Sequence, residues 1–333
     1  MARIAPIAVV VPNWNGLTFL RDCVPSLSRQ SQPHDLIVVD NGSMDGSCTW
    51  LRDNHPEATV VALRRNHGFA GGANRGIELA LRRNAEYVAL LNNDAVADPG
   101  WLHSLLVAAE AHPEAGVITG KLLNADGTRI DSTGNLYSTW GFPFPRGRDE
   151  DAGSYPTAGY VFAASGGASL YRSAALREIG LFDERFFAYY EDVDLSFRSQ
   201  LAGWKVWYTP SAIARHVIGG TTSRHPGLAQ YHTTKNFVSL YCKNMPAKLF
   251  RRHLVKFLTA WVLIAATAVR RGAVVSFMKA FAAAAVGLVG LARERRRVQA
   301  GVKVSDEYIE SMLYKRVPPT QRTLLGLSHR FLR

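Results

Sequence analysis

Three carboxylates fall within four residues in the run Tyr189-Tyr190-Glu191-Asp192-Val193-Asp194-Leu195, beside two aromatic rings and at what reads as the start of a helix. A carboxylate so placed is a candidate general base, able to take the proton of a hydroxyl nucleophile as its new bond forms. Acidic residues in a first helical turn also complement the helix dipole without doing any chemistry. The polar segments upstream favour the first reading. Four short apolar runs end in Asn13-Trp14-Asn15, in Asp40-Asn41-Gly42-Ser43-Met44-Asp45-Gly46, in Arg64 to Asn74 with its Gly68-x-x-Gly71-Gly72, and in Asn92-Asn93-Asp94. Singly each is ordinary turn chemistry. Gathered at one edge of a sheet they would rim a ligand site.

The elements that must gather them follow from the pattern. Ile7–Val11, Leu36–Val39, Thr59–Leu63 and Tyr87–Leu91 are short, mostly β-branched or apolar runs, separated by helical patterns at about 17–29, 48–54 and 73–83. This alternation predicts an α/β chain with a doubly wound, mostly parallel sheet whose strands are covered on both faces. Ligands in such sheets sit at the carboxyl ends of the strands, where the four polar segments fall. The stretch from about 116 to 171 is richer in Gly, Pro and turn residues, with strand-like pieces at 117–123 and 168–171, and reads as a region that holds a second substrate. In it Ser165-Gly166-Gly167-Ala168 allows either a close backbone approach to a ligand or a tight turn.

Several function classes are excluded. The first strand lacks the Gly-x-Gly-x-x-Gly turn of a dinucleotide-binding enzyme, and no P-loop lysine motif occurs. The formal charge of +12 resides in the tail: residues 243–333 hold 18 Lys+Arg against 4 Asp+Glu, which leaves the first 242 nearly neutral. Basicity so segregated, without a recognition motif, argues against nucleic acid as a partner. Cys23, Cys48 and Cys242 are odd in number and lack zinc-ligand spacing, which fits free thiols in a reducing cytoplasm. The start, Met1 to Pro12, carries no recognisable signal peptide.

In order along 7–244, Val10-Val11-Pro12-Asn13-Trp14-Asn15, Val38-Val39-Asp40-Asn41-Gly42-Ser43-x-Asp45-Gly46, Asn66-x-Gly68-Phe69-Ala70-Gly71-Gly72-x-Asn74-x-Gly76, Leu90-Leu91-Asn92-Asn93-Asp94 and Tyr190-Glu191-Asp192-Val193-Asp194 resemble the family-2 glycosyltransferases of the GT-A fold. The likeness is closest to the bacterial branch that holds rhamnosyltransferases of cell-surface polysaccharide assembly. The resemblance implies inverting transfer of a sugar, rhamnose-like, from a nucleotide diphosphate donor to a glycan or polyprenyl-linked glycan. A UDP-hexose or UDP-N-acetylhexosamine donor, or a non-catalytic nucleotide-sugar scaffold, are the alternatives. It implies Asp192 as base, Glu191 with Gly166 and Gly167 on the acceptor side, and donor contacts from Asn13, Asn15, Asp40, Asn41, Asn66, Gly68, Gly72, Asn74, Asn93 and Asp94, Asp40 reading the nucleobase. Asp194, four residues before Arg198, reads as one end of a helix-surface ion pair. Lys235-Asn236 stands where relatives often carry Arg-Asn, and the lysine offers a point charge to phosphate.

For the leaving diphosphate the resemblance implies a divalent cation, Mg2+ or Mn2+, at an acidic motif after the fourth strand. The chain departs from Asp-x-Asp there, leaving Asp94 as sole carboxylate, which suffices for a hard cation that keeps water and substrate phosphate as ligands. His216, in Ala214-Arg215-His216-Val217-Ile218-Gly219-Gly220, matches a family histidine that completes the site, and an imidazole tilts the preference toward Mn2+.

Residues 1–244 are thus expected to form the catalytic domain and 245–333 a basic, partly apolar helical extension. Two charge-free apolar stretches of 13 residues, 257–269 and 280–292, alternate with Arg270-Arg271 and Arg293-Glu294-Arg295-Arg296-Arg297. Each is short of the ~20 residues of a spanning helix. Helices lying in the membrane interface, cations on anionic headgroups, are the expectation, with a peripheral protein on the cytoplasmic face of the plasma membrane. A soluble helical hairpin, serving as a homodimer interface, is the alternative.

Overall fold

The computed structural model describes residues 7–217, 227–270 and 272–318. The expected alternation opens the chain: Ile7–Asn13 (β1), Leu17–Ser28 (α1), Asp35–Asp40 (β2), Ser47–Asn54 (α2), Thr59–Ala62 (β3), Gly68–Arg82 (α3) and Tyr87–Leu91 (β4). Then come Ala95–Ala97 (β5), Trp101–Ala111 (α4), Ala115–Asn124 (β6), Ile130–Ser132 (β7), Asn135–Tyr137 (β8), Pro143–Pro145 (β9), Gly159–Tyr160 (β10) and Ala168–Arg172 (β11). Ser173–Ile179 (α5), Glu191–Leu201 (α6) and Lys205–His216 (β12) follow, and the chain continues as Leu228–Asn244 (α7), Ala247–Arg270 (α8), Val274–Ala300 (α9) and Asp306–Met312 (α10).

One sheet runs β10-β12-β6-β11-β4-β1-β2-β3, with β5 on β12 and β7 on β6. β1, β2, β3 and β4 are parallel, whereas β11 runs antiparallel between β4 and β6. β1 and β4 are buried along their whole length, which is why they read as unbroken apolar runs rather than alternating ones. One face is sealed by α1 and α4 through Leu20, Leu27, Trp101 and Leu105, the other by α3, α5 and α6 through Ile77, Leu176 and Leu195. A third cluster joins Phe197 of α6 to Phe237 and Tyr241 of α7, Phe257 of α8 and Ile309 of α10.

α3 starts five residues earlier than the apolar pattern indicates. Gly68, at φ +74°, turns the chain into the helix, and a Cβ on it would meet the Phe187 carbonyl oxygen at 2.3 Å. The glycine cluster thus lets the N-terminus of α3 touch the segment before α6. The tail helices pack on the body: Arg295 donates to the Cys242 and Met245 carbonyls, Gln299 to that of Asn244, and Tyr308 to Gln200. α8 runs 24 residues, so the apolar stretch seen in the sequence is one part of a helix that, by length and composition alone, is long enough to cross a membrane. Ile218-Gly219-Gly220 of the histidine motif, Met1–Pro6, Arg271 and residues 319–333 lie outside the described residues.

Candidate active site

The sheet register sets the strand ends side by side. Asn13 pairs with Asp40 across β1 and β2, and the Asn13 carbonyl accepts from Asn41 N–H. Asn93, just past β4, donates to Asn13 Oδ1 at 2.7 Å, and Asn13 Nδ2 reaches Asp40 Oδ1 at 3.4 Å. Asp40 also accepts from Ser43 N–H and from the Cys48 thiol, which burial and then this carboxylate push up to about 11. Asn15, at φ 48°, caps the loop after β2 by accepting from Met44 N–H, while Ser43 Oγ accepts from Asn15 N–H. Asn41 and Asn66 tie that loop to the one after β3: Asn41 Nδ2 donates to Asn66 Oδ1 and to the Gly68 carbonyl. Gly72 leaves room for this knot, because its Cβ would lie 3.0 Å from Asn41 Nδ2.

Asn74 has another assignment. Its amide accepts from Phe182 N–H at 3.0 Å and donates to the Phe182 carbonyl and to Glu184, a strut from α3 to the segment before α6. Lys235 is likewise engaged, its Nζ donating to the Arg185 carbonyl at 2.7 Å.

The β5–β12 ladder pairs His216 with Ala95 and sets Val217 N–H on the Asp94 carbonyl, which brings His216 beside Asp94. His216 Nε2 lies 3.0 Å from Asp94 Oδ1, and Nδ1 lies 2.8 Å from Asp131 Oδ2. Burial pushes the imidazole down, but the two carboxylates outweigh it and lift it to about 9. Asp131 is buried and held from its other oxygen by Arg148. Asn92 Nδ2 lies 3.4 Å from His216 Nε2, and its buried Oδ1 has no hydrogen-bond partner among the described residues. An imidazole oriented by a carboxylate, a facing carboxylate and an orphaned amide oxygen are a donor set that fits a divalent cation.

Asp192 is the second residue of α6, entered through three left-handed residues, Phe187, Tyr189 and Tyr190 at φ 66°, 69° and 71°. Its Oδ1 accepts from Val193 N–H at 2.8 Å, and its Oδ2 from Gly166 N–H at 2.8 Å and Asn135 Nδ2 at 3.4 Å. Gly166 comes this close because it lacks a Cβ, which would stand 3.1 Å from that of Asp192. The Gly166-Gly167 pair thus approaches the carboxylate itself, and Gly167 approaches Asn92 in the same way. Burial raises the Asp192 carboxyl, with the donors opposing. Glu191 is buried, its Oε2 has no partner among the described residues, and burial followed by the Asp192 charge raises its carboxyl well above the usual range. Both carboxyls of the pair are thus raised, Glu191 the more strongly because no donor reaches its Oε2 among the described residues.

The expected surface pair at Asp194 is corrected. Asp194 is fully buried, 2.9 Å from Arg198 Nε and 2.9 Å from Lys243 Nζ, and accepts from Asn244 Nδ2 at 2.8 Å. Lys243 continues to Asp183 at 2.7 Å. Sequence reasoning missed Asp131, Asn135, Asn92 and Lys243 as partners. Their segments look like turn or helix-surface chemistry, and only the fold brings them in.

The family model for Glycosyl transferase family 2 matches residues 8–180. The chain is a family-2 glycosyltransferase. This glycosyltransferase is 30% identical over 255 residues to N-acetylglucosaminyl-diphospho-decaprenol L-rhamnosyltransferase of Mycobacterium tuberculosis, covering 70% of the present chain and 82% of the relative. It is 26% identical over 200 residues to the low-salt glycan biosynthesis hexosyltransferase Agl10 of Haloferax volcanii, covering 58% and 61% of the two chains. Its fold is similar to that of a mannosyltransferase from Pyrobaculum calidifontis solved with GDP-Man and Mn2+, at TM-score 0.54 and 15% identity over 98% of this glycosyltransferase and 86% of that chain. The expected GT-A fold is thereby established.

Proposed function

We propose that this glycosyltransferase moves a rhamnose-like sugar, with inversion, from a nucleotide diphosphate donor to a lipid-linked glycan, with Asp192 as the base. The observation that carries the reading is the Asp192 carboxylate. It stands at a helix N-terminus, is fixed by two backbone N–H groups, and has Glu191 beside it to hold the proton that two adjacent charges would exclude. Gly166 N–H and Asn135 hold Oδ2 while Val193 N–H holds Oδ1, which fixes the plane of the carboxylate that takes the acceptor hydroxyl proton. The rhamnosyltransferase relative supports the choice of sugar and of a diphospho-polyprenol acceptor.

The strand-end residues Asn13, Asp40, Asn41, Asn66 and Asn93 bind the nucleotide in this reading, their amides pre-set by one another. Asp94 and His216 hold a divalent cation, with Asp131 fixing the ring. When bound, that cation neutralises charge on the departing diphosphate. The exposed apolar residues of α8 and α9, among them Val255, Val262, Val275 and Val286, rest on an anionic membrane surface. No acidic residue occurs between Lys243 and Arg293, so the whole stretch matches anionic headgroups.

The test is a panel of nucleotide sugars screened by thermal shift with and without Mn2+, followed by transfer assays on a diphospho-lipid acceptor with NMR of the product anomer. A dTDP-rhamnose-selective shift and inverted product are expected. Asp192→Asn should abolish transfer while retaining donor binding. An active variant, or a retained anomeric configuration, overturns the mechanism, and selective stabilisation by a UDP-hexose overturns the sugar.

A further inference from the structure

Polar side chains along α7 hold α6 and the segment that leads into it. Lys235 donates to the Arg185 carbonyl, and Lys243 and Asn244 grip Asp183 and Asp194. Between them Asn236, with no exposed surface, directs Nδ2 at three carbonyls: Phe186 at 3.0 Å, Ala188 at 2.9 Å and Tyr189 at 2.7 Å. One turn earlier His232 stacks on the Phe187 ring, centroids 5.0 Å apart and planes 12° apart.

Those carbonyls belong to a strained turn. Phe187, Tyr189 and Tyr190 all sit at positive φ, a conformation that costs a non-glycine residue of order 1–3 kcal/mol and persists only where the surroundings enforce it. Tyr190 is the N-cap of α6, and Asp192 follows two residues later. The direction of the Asp192 carboxylate, and its bonds to Val193 N–H and Gly166 N–H, therefore depend on where the turn delivers the first residue of the helix.

We propose that Asn236 is a positioning residue for transfer: its single amide group holds the left-handed turn 187–190 and thereby aims Asp192 from outside the donor site. This rests on Asp192 being the base. Asn236 acts through the backbone, since its Nδ2 donates to the carbonyls of Phe186, Ala188 and Tyr189, within and just before the turn. It is therefore a residue whose loss leaves nucleotide contacts in place. A base displaced by even 1 Å loses much of its rate, because proton transfer needs hydrogen-bond reach.

The experiment compares Asn236→Ala, Tyr189→Gly and the double variant with Asp192→Asn. Asn236→Ala is expected to lower kcat by about 10- to 100-fold with donor KM and donor-induced thermal shift unchanged. Glycine adopts positive φ without strain, so Tyr189→Gly in the Asn236→Ala background is expected to recover part of the lost kcat. If Asn236 is only a packed core residue, the second substitution deepens the loss and donor binding falls in parallel, which overturns the proposal. An Asn236→Ala protein that is folded by thermal melt and fully active also overturns it. Should Asp192→Asn remain active, the base assignment fails instead, and the two failures are distinct. If Asn236→Ala does not fold, Asn236→Ser, which keeps a single hydroxyl donor toward the turn carbonyls, decides: a lowered kcat with the donor-induced thermal shift unchanged is expected, and full activity or a parallel loss of donor affinity refutes the proposal.

Discussion

Gly166→Ala tests the environment of Asp192 with a single methyl group. The added Cβ would stand 3.1 Å from Asp192 Cβ and 3.4 Å from Oδ2, inside the ~3.5–4.0 Å optimum for such atoms. Gly166 does not have a left-handed φ, so the backbone tolerates alanine and the side chain or the loop must give way by a few tenths of an ångström. What suffers is the 2.8 Å bond from Gly166 N–H to Oδ2. A hydrogen bond to a charged group is worth about 1.5–3 kcal/mol, and a loss of that size raises the proton affinity of the carboxylate by about 10- to 100-fold. Burial already pushes this carboxyl up, so the change adds to a bias in the same direction. In the proposed mechanism a carboxylate base works ionised, and the rate is lost as pH falls through its titration. The acid limb of the kcat/KM profile should therefore move to higher pH, with the plateau at alkaline pH largely preserved and donor affinity unchanged. A variant whose acid limb stays where it was, or whose plateau collapses while the limb is fixed, would refute the claim that the Gly166 N–H keeps Asp192 ionised.

Lys243→Met removes one arm of the buried cluster around Asp194, which keeps Arg198 and Asn244, and should cost about 1.5–3 kcal/mol in urea unfolding, the worth of a hydrogen bond to a charged group; a change under about 0.5 kcal/mol would contradict the network. In that cluster burial pushes the Asp194 carboxyl up, but Lys243 and Arg198 more than offset it, so the folded value is depressed. The resulting stabilisation is complete above the ordinary carboxylate range and is lost as pH falls through the folded value, so the urea midpoint should drop on acidification below about pH 4. Asp131→Asn, which loosens the His216 ring, should weaken Mn2+ binding by about 10- to 100-fold in the absence of donor, read by titration with electron paramagnetic resonance; unchanged affinity would remove His216 from the cation site. Val262→Glu with Val286→Glu should abolish sedimentation with anionic vesicles while leaving transfer to a water-soluble acceptor intact; a wild-type protein that never sediments with such vesicles at low salt would sink the membrane reading.

The strands and their polar ends were legible because parallel strands covered on both faces leave an unmixed apolar run, and each ends abruptly at residues that turns and ligands both use. What the pattern could not carry was which of those polar residues face a ligand and which face each other. Asn74 and Gly68 lie in the same run as Asn66, yet Asn74 is spent on Phe182 and Gly68 on Phe187, contacts spanning more than a hundred residues. Asp194 misled for the same reason: an acid four residues before an arginine has one meaning on a solvated helix and another under α7, and burial is not a local property. The acid run at 191–194 is where local pattern and tertiary setting diverge most. Three carboxyl groups occupy one turn, and the fold separates them by supplying different partners: Asp194 receives cations, Asp192 receives N–H donors from Gly166 and Val193, and Glu191 Oε2 is left without a partner among the described residues. Of the three, only Asp192 combines N–H donors with a side chain that is still partly accessible, so the setting that would suit a base is supplied by α7 and the Gly166 loop rather than by the run itself.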